Sequence, residues 1–167
     1  RAPEGMWLPE CAVDTPSLET LAAEGIAFTV LAPSQAKRVR SPDGRWHDGM
    51  PDTGRPYRCA LPSGRSIDLF FYDGTTSQAI AFEKLTASGD ALAARLCAGA
   101  DDRLMHVATD GETYGHHHRY GDMGLAWTLW AIEHGKGGAA GKDVRLTNYA
   151  QYRTLAPGPR VIVLGAV

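Results

Sequence analysis

The sequence predicts an α/β fold, a parallel sheet covered by helices and arranged as an arc of a β/α barrel. Three observations predict it. Five apolar, strand-length runs (about residues 5–10, 26–31, 103–109, 143–147 and 160–165) alternate with helix-like segments. The runs are near-continuous rather than strictly alternating, as in strands buried on both faces. Five parallel strands in 167 residues are too few for a closed eight-fold barrel, which takes roughly 250 residues. An open doubly wound sheet is the rival, and the absence of a glycine-rich nucleotide fingerprint after any strand weakens it.

The elements follow in order. After the first strand, Thr15 reads as a helix N-cap with Pro16 at the favoured first position, and Gly25 ends the helix. Ile26–Leu31 is the second strand and Pro33–Arg40 a short basic helix. Residues 41–56, rich in Gly, Pro and Asp, form the longest loop, read as functional or substrate-covering. Tyr57–Leu61 and Ser66–Tyr72 flank the turn Pro62-Ser-Gly-Arg65 and predict a β-hairpin insertion. Residues 77–99 are helical with a break near Ser88-Gly89. Asp122–His134 is a helix, 135–141 a flexible loop, 148–155 a short helix and 160–165 the last strand.

The totals bound the function. With 44% hydrophobic and 22% charged residues, this is one globular domain with material for a sizeable core. A net charge of −2 gives no footprint for nucleic acid or an anionic membrane surface. No apolar stretch approaches the roughly 20 residues that span a bilayer. Cys11, Cys59 and Cys97 are odd in number and widely spaced, which fits neither a disulfide framework nor a zinc site and points to reduced thiols in the cytoplasm. The chain starts almost directly on a strand, without a methionine, and is expected to be a piece of a longer polypeptide.

Two carboxylates stand where apolar runs stop: Glu10, in Gly5-Met-Trp-Leu-Pro-Glu10, and Asp110, in Leu104-Met-His-Val-Ala-Thr-Asp110-Gly-Glu112. In α/β proteins, side chains at strand exits face a shared crevice. One carboxylate that attacks and one that carries a proton are what glycosidic bond cleavage requires. The plainer alternatives are that Glu10 caps the next helix and Asp110 starts a turn.

The segments Gly5–Glu10 and Ala108-Thr-Asp-Gly-Glu-Thr-Tyr-Gly-His-His-His118 resemble two signature regions of glycoside hydrolase family 57. Its members include α-amylases, 4-α-glucanotransferases and glucan branching enzymes on a seven-fold β/α barrel. Phe28–Arg40, Arg55–Arg58 and Leu69–Gly74 are similar to one bacterial branch of that family. The resemblance implies an incomplete (β/α)7-type barrel with helices outside, residues 1–167 being part of a catalytic barrel domain. It places the nucleophile on Glu10 and the general acid/base on Asp110 of a retaining enzyme acting on α-glucan-type polysaccharide, by hydrolysis or transfer. The two carboxyl groups of such an enzyme lie about 5–5.5 Å apart, and the proton carrier needs a raised pKa. The family's opening His-Gln-Pro-type motif is absent, so the chain alone is expected not to turn over soluble glucans.

Around this pair, Trp46, His47, Asp73, Glu112, His116, His117 and His118 are candidates to touch the sugar. Asp73 ends the run Leu69-Phe-Phe-Tyr72 before Gly74, repeating the strand-exit position of Asp110; turn formation is its simpler role. Trp46 and His47 lie in the long loop and could equally anchor it. Three adjacent histidines on one loop do not make a zinc ligand set, so no metal and no cofactor is expected. Glu112 could instead anchor the loop. His106, Trp7, and the stripe Met123, Ala126, Trp127, Trp130 and Ala131 read as core. Lys37, Arg38 and Arg40 read as a solvated basic face, and Ser34 and Gln35 could reach the crevice. The alternative functions are a metal-dependent polysaccharide deacetylase-like enzyme, whose spaced histidine pair is missing, and a non-catalytic carbohydrate-binding domain on the same fold. The expected partners are an oligo- or polysaccharide and the remainder of the chain's own polypeptide, with no nucleic acid and no membrane.

Overall fold

The computed structural model describes residues 2–41, 43–100, 103–136 and 143–155, and the backbone of 160–164. In chain order the elements are β1 (Gly5–Met6), α1 (Thr15–Ala23), β2 (Phe28–Leu31), β3 (Ala36–Arg40), β4 (Trp46–Asp48), β5 (Tyr57–Ala60) and β6 (Ser66–Phe71). There follow α2 (Gly74–Phe82), α3 (Gly89–Gly99), α4 (Gly121–Glu133), α5 (Tyr149–Leu155) and β7 (Arg160–Leu164). The chain divides into two units, one of Arg1–Tyr72 with Asn148–Val167 and one of Asp73–Thr147.

The first unit is built on one sheet in the order β1-β2-β6-β5-β7-β3-β4. β1, β2 and β6 run parallel; the first two lie in predicted parallel strands, whereas β6 is an arm of the predicted hairpin. β5 is antiparallel to β6 through the predicted hairpin, with Tyr57 opposite Leu69 and Ala60 opposite Ser66. β7 is parallel to β5 and antiparallel to β3, and β4 is antiparallel to β3. The sheet is therefore mixed well beyond the predicted hairpin, which corrects the expectation of a parallel sheet with one hairpin insertion.

β6 is buried from Ile67 to Phe71 because both faces of the sheet are covered. Its odd-numbered residues Ile67, Leu69 and Phe71 join Leu18 and Leu21 of α1, together with Leu31, Tyr57 and Cys59, in the main core. Its even-numbered residues meet α5. Phe70 lies 4.9 Å from the Tyr149 ring and 5.7 Å from Phe28. Asp68, only 4% exposed, holds Arg58 at 3.0 Å and Arg153 of α5 at 2.9 Å. A buried carboxylate between two guanidiniums is satisfied, and truncating either arginine leaves it short of a partner. Gly5 has no freedom to carry a side chain, since a Cβ there would sit 2.2 Å from the Phe28 ring.

The second unit is helical. Asp73 caps α2 by accepting the Thr76 amide at 2.7 Å, and Ser88 caps α3 through Ala91 N at 3.2 Å. α3 and α4 pack through Ala93, Cys97, Ala131 and Ile132. Gly124 lets the backbone of α4 close on the 3-10 turn Leu85–Ala87, because a Cβ there would meet the Thr86 carbonyl oxygen at 2.0 Å.

Several local expectations change. The first strand stops at Met6, and Pro9–Cys11 is a 3-10 turn. The α1 cap is Asp14, not Thr15, because its carboxylate takes both the Ser17 amide (2.8 Å) and the Ser17 hydroxyl (2.6 Å). Pro33–Arg40 is not a helix: a 3-10 turn over Pro33–Gln35 leads into β3, whose two sides are paired with β4 and β7. Residues 103–109 and 143–147 hold no strand. Polar groups around the first of these segments bond outside any ladder, with His106 O accepting Asp73 N at 2.9 Å and Ala108 N donating to Ser77 Oγ at 3.1 Å.

His106 is buried as expected, whereas Trp7 (49% exposed) and Trp127 (46% exposed) are not core residues. Trp130 and Met123 are exposed too, and the buried face of α4 is Gly121, Thr128, Ala131 and Ile132. Most of the predicted 135–141 loop, and residue 165, lie outside the described residues. No helix among the described residues is long and apolar enough to cross a membrane.

Candidate active site

Glu10 belongs to the first unit and Asp110 to the second, and each is built by its own neighbourhood. Glu10 is exposed in the middle of the turn Pro9–Cys11, with φ 56° and ψ 16°. Cys11 follows at φ 51°, so two consecutive residues with side chains occupy the left-handed region. Each costs on the order of 1–3 kcal/mol and persists only where its surroundings hold it in place. Three hydrogen bonds do so: Cys11 N to Leu8 O (3.0 Å), Ala12 N to Pro9 O (2.9 Å) and Gln35 Nε2 to Cys11 O (2.6 Å). The Cys11 side chain points into the core, and burial raises its thiol pKa, with the Glu10 charge adding to the rise. The turn thus sends one side chain into the core and presents the preceding carboxylate to solvent.

Trp46 and His47 lie on β4 in the same unit, both exposed. The Arg38 guanidinium stands 5.4 Å from the Trp46 ring centre and 3.4 Å from Asp48, so the predicted long loop contains a tied hairpin. Lys37, Arg38 and Arg40 are exposed as expected, though on a strand.

In the second unit, Asp110 is exposed at the head of a 3-10 turn over Gly111–Thr113, and its carbonyl accepts Thr113 N at 3.1 Å. Nothing in the turn uses its carboxylate as a cap. The Glu112 carbonyl accepts both His116 N (3.2 Å) and His117 N (3.0 Å), folding the histidine run back over the carboxylate motif. His118 then parts from the other two imidazoles. His117 Nε2 lies 3.4 Å from the Glu112 carboxylate, whereas His118 is half-buried with Nδ1 3.3 Å from Thr86 Oγ1. His116 is exposed, its ring centre 4.9 Å from that of His117. Thr109 Oγ1 and the Tyr114 hydroxyl, 2.9 Å apart, brace the other side. Asp73 is half-buried and gives its Oδ1 to the cap of α2.

Among the described residues no three His, Cys, Asp or Glu side chains come together as a metal site. Sequence reasoning missed Thr86, the anchor of His118, and the link from Gln35 to Cys11; neither pairing is close in sequence. The Asp68–Arg58–Arg153 cluster was missed as well. Its only signal was a charged residue inside an apolar strand.

Comparison with known proteins bears on the family and the fold. No curated protein matches the chain. Among solved structures, the 4-α-glucanotransferase from Thermococcus litoralis matches with a TM-score of 0.66 at 16% identity. The match covers 97% of this chain and 22% of that enzyme, so the chain spans about a fifth of its length and shares its local fold. The family model described as glycosyl hydrolase family 57 matches residues 1–133, which include both carboxylate motifs. The chain belongs to glycosyl hydrolase family 57.

Proposed function

We propose that these residues form part of the catalytic (β/α)7-type barrel of a retaining enzyme acting on α-glucan-type polysaccharide, with Glu10 as nucleophile and Asp110 as general acid/base. The observation that carries the reading is Glu10 itself. In a chain of this family, a carboxylate directly beyond β1 is held out of the core by a strained, hydrogen-bonded turn. The neighbouring thiol is turned inward instead.

In the proposed reaction the Glu10 carboxylate attacks the anomeric carbon while protonated Asp110 gives its proton to the departing glycosidic oxygen. A covalent glycosyl-enzyme forms, and the leaving sugar departs as an alcohol. Ionised Asp110 then takes a proton from water or from an acceptor sugar hydroxyl, which attacks the same carbon and frees Glu10. Water gives hydrolysis and a sugar gives transfer. Glu112, His116 and His117 flank Asp110 and would bond sugar hydroxyls, while His118 holds the loop through Thr86. Trp46, His47 and Asp73 are the remaining proposed sugar contacts. The three cysteines are buried and form no disulfide, which supports a reducing, cytoplasmic setting.

The test uses an α-glucosyl fluoride and a maltooligosaccharide with the polypeptide that carries this sequence. Fluoride leaves without a proton, so the first chemical step needs the nucleophile but not the acid. Asp110→Ala is expected to lose maltooligosaccharide turnover by about 100-fold or more and to keep glycosylation by the fluoride. Glu10→Gln is expected to lose both. Full turnover of the oligosaccharide by Glu10→Gln refutes the assignment.

A further inference from the structure

We propose that Gln35 is a positioning residue whose carboxamide locks the left-handed turn that presents Glu10; this rests on the reading of Glu10 as nucleophile. The turn's own bonds use the amides of Cys11 and Ala12, paired with Leu8 O and Pro9 O. The carbonyl of Cys11 is held from elsewhere, by Gln35 Nε2 at 2.6 Å. Gln35 ends the 3-10 turn just beyond β2, and β2 pairs in parallel with β1. One side chain thus ties the exit of one strand to the exit of its neighbour, where Glu10 stands.

The orientation of the carboxamide is fixed, because swapping its ends would set two oxygens against each other. Its Oε1 is buried and has no hydrogen-bond partner among the described residues. A buried amide with an unsatisfied oxygen is costly, and an apolar side chain would fill the space without that cost. What an apolar residue lacks is the N–H. The donor to Cys11 O is the feature that distinguishes glutamine at this position. Two adjacent left-handed residues have no glycine to make the conformation easy, so the backbone relaxes when that donor goes.

The test compares Gln35→Met, which keeps volume and loses the donor, with Gln35→Glu, which keeps shape and loses the donor when ionised. In the chain itself, amide hydrogen exchange at Cys11 and Ala12 is expected to speed up by about tenfold in both variants. Exchange in β2 and β6 is expected to stay as it was. In the catalytically active polypeptide, kcat is expected to fall about ten- to a hundredfold, from a displaced nucleophile, with KM changed less than about twofold. A purely structural role would speed exchange across the sheet and lower the yield of active protein without that split. Unchanged exchange at Cys11 and Ala12 overturns the proposal. So does a parental kcat in the Gln35 variants while Glu10→Gln is inactive. If Glu10→Gln keeps its rate, the nucleophile reading fails instead, and exchange alone decides whether Gln35 holds the turn.

Discussion

Asp73 and Asp110 follow the same sequence logic, an acidic residue and a glycine after an apolar run, yet the structure employs them differently. The Asp73 carboxylate takes the Thr76 amide and its carbonyl takes the Ser77 hydroxyl, so its first duty is to start α2. The Asp110 carboxylate caps nothing. Asp73→Ala is therefore expected to cost about 1 kcal/mol of stability, and Asp73→Asn, which still caps, a few tenths at most. Chemical denaturation measures both, and equal losses would show that the charge matters rather than the cap. Residue identity and position relative to an apolar run made the exposure of Glu10 and Asp110 and the burial of His106 legible in the sequence; their catalytic roles are a proposal. The bond from Gln35 to Cys11 spans 24 residues, and the pair of Thr86 and His118 spans 32. Such pairings depend on which strands and turns become neighbours, and no local pattern reports that.

Among the elements, helices with strong caps and the β5–β6 hairpin were readable, because capping and turn chemistry act within a few residues. Ala36–Arg40 was not. Its Lys and Arg content suits a helix in isolation, and pairing with β4 and β7 overrides that preference. The α4 stripe failed for another reason, except at Ala131, which is buried. Trp127 gives its indole N–H to Asp90 at 2.7 Å and lies 4.9 Å from Trp130, which stacks on His134 at 4.5 Å. These rings satisfy one another along the exposed side, while small residues occupy the buried side.

The aromatic contact of α5 with the sheet supplies a pH-dependent measurement. Burial pushes the Tyr149 phenol from 10.0 up to about 12, so the folded state holds this proton more tightly than the unfolded chain does. That contribution is complete below pH 10 and is lost as pH rises through about 12, amounting to roughly 3 kcal/mol at most. Unfolding midpoints taken from pH 9 to 12 should fall less steeply in Tyr149→Phe than in the parent. Parallel slopes would place the phenol in solvent.

At the scale of the whole molecule, the apolar runs foretold an α/β chain with β1 beside β2, while the parallel place of the hairpin strand β6 next to β2 was not foreseen. The mixed outer strands were hidden, since strand direction depends on connections that composition does not encode. The segment 103–109 looked like a strand because it is apolar, but its neighbours bond to its polar groups outside a ladder. The proposed mechanism requires Glu10 and Asp110 to act on one sugar. The measurement that tests it most directly is the separation of their carboxyl groups in a crystal structure with a bound maltooligosaccharide. The carboxyl groups are expected about 5–5.5 Å apart, with the scissile bond between them. A separation in the roughly 6.5–9.5 Å range of an inverting pair, or beyond it, would contradict the retaining mechanism.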